Sequence, residues 1–121
     1  FGNATPSDID GVFDFGGRAF IVFELKSGDT PLPIGQRLLL ENMVDGWRDG
    51  GRLAAAMVAR HDAPIGKDID AGAARVSDVW FNRRWYRVDD GATLRDMVER
   101  FLTKHAPDEL RRLTGATLEG G

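Results

Sequence analysis

The chain has no cysteine. Disulfides, zinc–thiolate centres and thiol nucleophiles are therefore excluded. No apolar run approaches the roughly 18 residues that a membrane-spanning helix needs. No signal peptide is visible either, so a cytoplasmic address is expected, or the host cytoplasm for a phage-encoded protein. A positive excess is also missing: 16 Lys and Arg against 19 Asp and Glu leave a net charge of −3. That argues against binding nucleic acid by bulk electrostatics. It is compatible with a cluster of carboxylates neutralised by a metal ion. There is no internal repeat and no low-complexity segment. At 121 residues the chain has room for one domain, spanning 1–121. The sequence opens on Phe1 rather than Met, and only a short polar stretch, Phe1 to Ser7, precedes the first patterned segment.

What is present reads as an α/β protein. Residues 8–15 form a strand, Gly16-Gly17 supplies a turn because glycine accepts positive φ without strain, and Ala19 to Lys26 is the return strand. Ser27 to Pro33, with Gly28, Pro31 and Pro33, is a loop. A helix runs from Ile34 to Asp49, with Gln36, Leu39, Leu40, Met43 and Trp47 on one face, and Gly50-Gly51 ends it. Arg52 to Arg60 is a third strand, reached by a crossover that makes it parallel to the second. Asp62 to Ala73 is a loop. Val76–Phe81 and Trp85–Val88 form a hairpin around residues 82–84, and Thr93 to His105 is an amphipathic helix. Pro107 opens a last helical turn over residues 108–113.

The second strand, Ala-Phe-Ile-Val-Phe-Glu-Leu-Lys, is too rich in Phe, Ile and Val to leave either face in water, yet it carries Glu24 and Lys26. A buried charge is costly unless it is paired or metal-bound. Side chains alternate along a strand, so Glu24 and Lys26 share a face, and so do Asp8 and Asp10 on the first arm. If Phe15 faces Ala19 across the turn, Asp10 lies opposite Glu24 and Asp8 opposite Lys26. Opposed Cβ atoms are then about 4.5–5.5 Å apart, where two carboxylates repel unless a cation sits between them. Ile9, Phe13, Phe15, Ile21, Phe23 and Leu25 would face a core on the other side. Carboxylate oxygens suit Mg²⁺ or Mn²⁺, and the carbonyl of Leu25 is a further candidate ligand.

Asp10, a gap of fourteen, then Glu24-Leu25-Lys26 resembles the PD-(D/E)xK, restriction-endonuclease-like, nuclease superfamily. Pro6-Ser7-Asp8-Ile9-Asp10 resembles that superfamily's PD segment. Gln36 opening the next helix, followed by a strand ending Val58-Ala59-Arg60-His61, is similar to the virus-type replication-repair (VRR-NUC) branch and, more distantly, to archaeal Holliday-junction resolvases. The resemblance covers roughly residues 6 to 62 and implies a small mixed sheet flanked by helices, to which a C-terminal hairpin and helix are added. It also implies a catalytic set of Asp10, Glu24, Lys26 and Gln36, with metal held by Asp10, Glu24, Leu25 and Asp8. Asp8 and Asp10 compete for one role. The residues given before the first strand hold no counterpart of the family's usual helix there: either helix 93–105 takes its space, or the natural start lies upstream of Phe1. The implied activity is Mg²⁺- or Mn²⁺-dependent hydrolysis of DNA, branched, flapped or duplex, in phage or mobile-element replication and repair. A homodimer would suit two-strand cutting. The competing class is a nuclease-fold module that binds nucleic acid or protein without cutting; a metal-dependent hydrolase of another substrate is a third.

Outside that set, Arg83-Arg84-Trp85-Tyr86-Arg87 combines cations with aromatics, which suits a phosphate backbone and a stacked base. The aromatics Trp80, Trp85 and Tyr86 are expected to pack on the core, which leaves Arg83, Arg84 and Arg87 as the contacts. His61, closing the third strand, is a candidate substrate contact, and His105 is expected on the surface. Asp62, Asp68 and Asp70 lack the full spacing of a calcium loop and read as solvated.

Overall fold

The computed structural model describes residues 9–64 and 68–112. The chain is α/β, built on one open five-stranded sheet. In sequence the elements are β1 (Gly11–Phe15), β2 (Ala19–Ser27), α1 (Ile34–Asp49), β3 (Leu53–His61), a 3₁₀ turn (Ala71–Ala73), β4 (Arg75–Phe81), β5 (Arg84–Arg87) and α2 (Leu94–His105). Residues 107–112 are helical as well. The strands lie side by side in chain order. β2 and β3 run parallel, joined by α1, and the other neighbours are antiparallel, so the sheet is mixed. No described helix is long and apolar enough to cross a membrane.

Each face of the sheet is covered by one helix. Even-numbered residues of β2 and β3, among them Val22, Ala54, Ala56 and Val58, pack with Leu40 and Val44 of α1 and with Trp80. Odd-numbered residues, among them Ile21, Phe23, Ala55 and Met57, pack with Val76, Val79 and with Leu94, Phe101 and Leu102 of α2. Alanine has weak strand propensity, yet Ala54, Ala55, Ala56 and Ala59 are fully buried in β3. This strand is covered by a helix on each face, and its burial overrides propensity. Helix α2 is started by a capping box in which Thr93 and Asp96 satisfy each other's backbone N–H groups.

The register matches expectation: Phe15 pairs with Ala19, and the ladder continues to Gly11 opposite Phe23. At that last pair the Phe23 ring lies over Gly11, where an added Cβ would come within 2.3 Å of it. The structure adds to the sequence reading and departs from it at several points. β1 begins at Gly11, not at residue 8. Ile9 therefore escapes the alternation and packs on the α1 side with Val22, not with Phe13 and Phe23. β3 starts one residue later and includes His61. A register shift between Val58 and Ala59 leaves Ser77 outside the β3–β4 ladder. The helical stretch 107–112 is moored by Glu109, whose carboxylate receives Arg18 from the β1–β2 turn at 3.2 Å.

Candidate active site

Glu24 sits on β2, a strand hydrogen-bonded on both sides, and its side chain faces α1. It is 2% exposed, and Oε1 has no hydrogen-bond partner among the described residues. Continuing the β1–β2 register by one step brings Asp10 alongside. Asp10 Oδ2 accepts the Leu25 backbone N–H at 2.6 Å. The N–H and C=O of one strand residue point the same way, so the Leu25 carbonyl also faces the side that Asp10 occupies, past the last β1 pair.

The electrostatics follow from that placement. The Glu24 carboxyl is pushed up from 4.5 to about 7, chiefly by burial, then by its hydrogen bond to Asp10 and by the Asp10 charge, while Lys26 pulls it down. A carboxyl raised this far is half protonated near neutrality, so a cation arriving between Asp10 and Glu24 would displace a proton. Lys26 lies two residues on, on the same face and half-buried. Gln36, in the first turn of α1 on the helix that covers this face, has a buried Oε1 that lacks a partner among the described residues. Two orphaned acceptors on one side of the sheet are unusual, since buried polar atoms are nearly always satisfied.

These four, Asp10, Glu24, Lys26 and Gln36, are the predicted residues that the fold gathers on one side. Asp8 lies outside the described residues. Among the described residues no three His, Cys, Asp or Glu side chains converge on a metal position. The fit to a cation thus rests on two carboxylates and a carbonyl, the remaining ligands being water or substrate, which is the habit of Mg²⁺.

The other predicted contacts lie elsewhere. His61 pairs with Ser27, so by alternation it faces the α2 side, and its Nδ1 accepts the Ala63 N–H at 3.2 Å. Arg83, Arg84 and Arg87 are on the β4–β5 hairpin, at the edge of the sheet opposite β1. Arg83 is held by Asp49 at 2.8 Å and by Asp45 at 3.5 Å. Arg84 lies 4.9 Å over the Tyr86 ring, and Arg87 pairs in register with Asp78. Trp80 and Trp85 pack on the α1 side as expected, their indole N–H groups bonded to Asp45 and Glu41 at 3.0 and 2.9 Å. Tyr86 departs from expectation and stays 39% exposed.

One residue beside the site was not anticipated. Arg60 pairs with Lys26 across the parallel ladder, so it shares that face. It donates to the carbonyl oxygens of Gly28 and Thr30, and its Nε reaches Ser77 Oγ at 3.3 Å. Arg60 thereby clamps the loop that leads from Lys26 to α1. The available signal was parity: an arginine at the end of an apolar strand, on the same face as Lys26.

No family model matches this chain, and neither does any curated protein or solved structure.

Proposed function

We propose that this protein is a divalent-metal-dependent nuclease with a restriction-endonuclease-like core that hydrolyses DNA phosphodiester bonds, with a place in phage or mobile-element replication or repair. The observation that carries the reading is the buried Glu24: its carboxyl lies against Asp10, keeps one oxygen unpartnered among the described residues, and has Lys26 beside it. Burying an ionisable carboxyl in the middle of an apolar strand costs stability, and groups held at such a cost cluster at functional sites.

Asp10, Glu24 and the Leu25 carbonyl would hold Mg²⁺ or Mn²⁺, which supplies an acidified water and a counter-charge for phosphate when bound. The protein's own groups do the rest. Lys26 places an ammonium where it can hold a non-bridging phosphate oxygen or orient the attacking water. Gln36 offers an amide from the helix above, to orient a water or a phosphate. Arg60 fixes the loop that sets Lys26 relative to Gln36.

The deciding experiment is cleavage of branched, flapped and single-stranded DNA with Mg²⁺, Mn²⁺ or EDTA. The wild type should cut only with metal, and Glu24→Gln and Lys26→Ala should each lose about 10²–10³-fold in rate. Equal cutting by wild type and both variants would remove the site. Metal-independent DNA binding without cutting would leave a nuclease-fold binding module.

A further inference from the structure

On the opposite face of the sheet, between the β4–β5 hairpin and α2, lies a cavity of about 330 Å³. Met57 and Val79 form its floor. Its walls are the rings of Phe81, Tyr86 and Phe101, and Arg100, Lys104 and His105 stand at its rim. Phe81, Phe101 and His105 form a connected set of rings, with centroids 5.5, 4.8 and 5.2 Å apart. Arg84 lies over one face of Tyr86 at 4.9 Å and Arg48 over one face of Phe81 at 4.7 Å, which leaves the other faces for a base. The volume is at the lower end for small-ligand sites, enough for one ring system and too little for a duplex.

The charges lining the cavity are of one sign. Among the described residues its lining holds two permanent cations and no carboxylate, in a chain whose acids outnumber its bases. Arg100 is tied to Asp90 at 2.9 Å, with both side chains half exposed, a pair worth little. Lys104 has no ion pair among the described residues. Burial, with Lys104 and Arg48 nearby, holds His105 below the usual histidine range, so it presents an uncharged ring at neutral pH.

We propose that this cavity binds one nucleotide of a single-stranded nucleic acid, the base stacked among Tyr86, Phe81 and His105 and the flanking phosphates on Lys104 and Arg100. Stacking faces combined with cations are how proteins hold single strands without reading sequence. The proposal does not rest on the hydrolytic reading, because the cavity and the Asp10–Glu24 pair lie on opposite faces of the sheet. It also explains why Tyr86 stays exposed while its neighbour Trp85 is packed.

The test is fluorescence anisotropy of a labelled 12-mer oligo(dT) with the full chain in EDTA, where no cutting can occur. Tyr86→Ala should weaken binding about tenfold. Lys104→Glu should also weaken it, and Lys104→Gln should lower the slope of log affinity against log salt by about 0.7. Tyr86 and Lys104 are both exposed, and circular dichroism would confirm that the variants are folded. Oligo(dT) binding that is absent, or unchanged in Tyr86→Ala and the Lys104 variants, would overturn the proposal. Saturable binding of decanoate but not of oligo(dT) would also overturn it, and would assign the cavity to an anionic amphiphile.

Discussion

At the scale of single residues, Glu24 is under two opposing demands. Its carboxyl takes up protons more readily in the folded chain, near pH 7, than at the 4.5 of an exposed glutamate. The folded form therefore keeps a proton that the unfolded chain has released between those values. The stabilisation is complete below about pH 4.5 and is lost as pH rises through 7, a change on the order of 3 kcal/mol. In EDTA, Glu24→Gln should be nearly neutral for stability at pH 4.5 and stabilising at pH 8, as read by denaturant unfolding at the two pH values. A variant that gains no stability at pH 8 would mean that Glu24 is ionised without cost, through some partner other than a cation. Lys26 shows the converse. It is half-buried beside the two acids, so Lys26→Met should cost little stability and nearly all of the cutting rate.

At the scale of elements, much was legible because it is local. The helix Ile34–Asp49 has the bounds that its apolar spacing and the Gly50-Gly51 break indicate, and Gly16-Gly17 returns the chain in the expected register. From that register the juxtaposition of Asp10 and Glu24 follows without tertiary information. What the sequence hid depends on contacts between distant segments. Ile9 changes sides because its strand ends at Gly11. Ser77 slips from the ladder, and there its hydroxyl receives Arg60 and donates to Asp78 at 2.7 Å. Tyr86 stays exposed because the cavity beside it is not filled by the protein's own side chains. Two element-scale outcomes can be measured by denaturant unfolding. Gly11→Ala should destabilise by about 1–3 kcal/mol, since the methyl group overlaps the Phe23 ring. In the β4–β5 turn, Asn82 and Arg83 adopt φ of 51° and 62°, a type I′ hairpin conformation that glycine suits better at the second position. Arg83→Gly should stabilise by up to about 1 kcal/mol, because relief of the left-handed backbone exceeds the loss of an exposed ion pair to Asp49 and a longer one, at 3.5 Å, to the part-buried Asp45.

At the scale of the whole molecule, the sheet separates two kinds of chemistry. The α1 face carries carboxylates, a lysine and a clamped loop at the carboxyl ends of the parallel pair β2 and β3. The α2 face carries rings and cations. With a net charge of −3, long-range attraction for nucleic acid is weak, so affinity must come from the metal position and from local cations such as Lys26, Arg60 and Lys104. Hydrolysis by these residues requires a dication between Asp10 and Glu24. The direct measurement is calorimetric titration with Mn²⁺ at pH 6.5 in two buffers of different ionisation enthalpy. The prediction is saturable binding that releases roughly three-quarters of a proton, the share that Glu24 carries at that pH, with both the heat and the proton lost in Glu24→Gln. No binding by the wild type, or the same binding by Glu24→Gln, would contradict it.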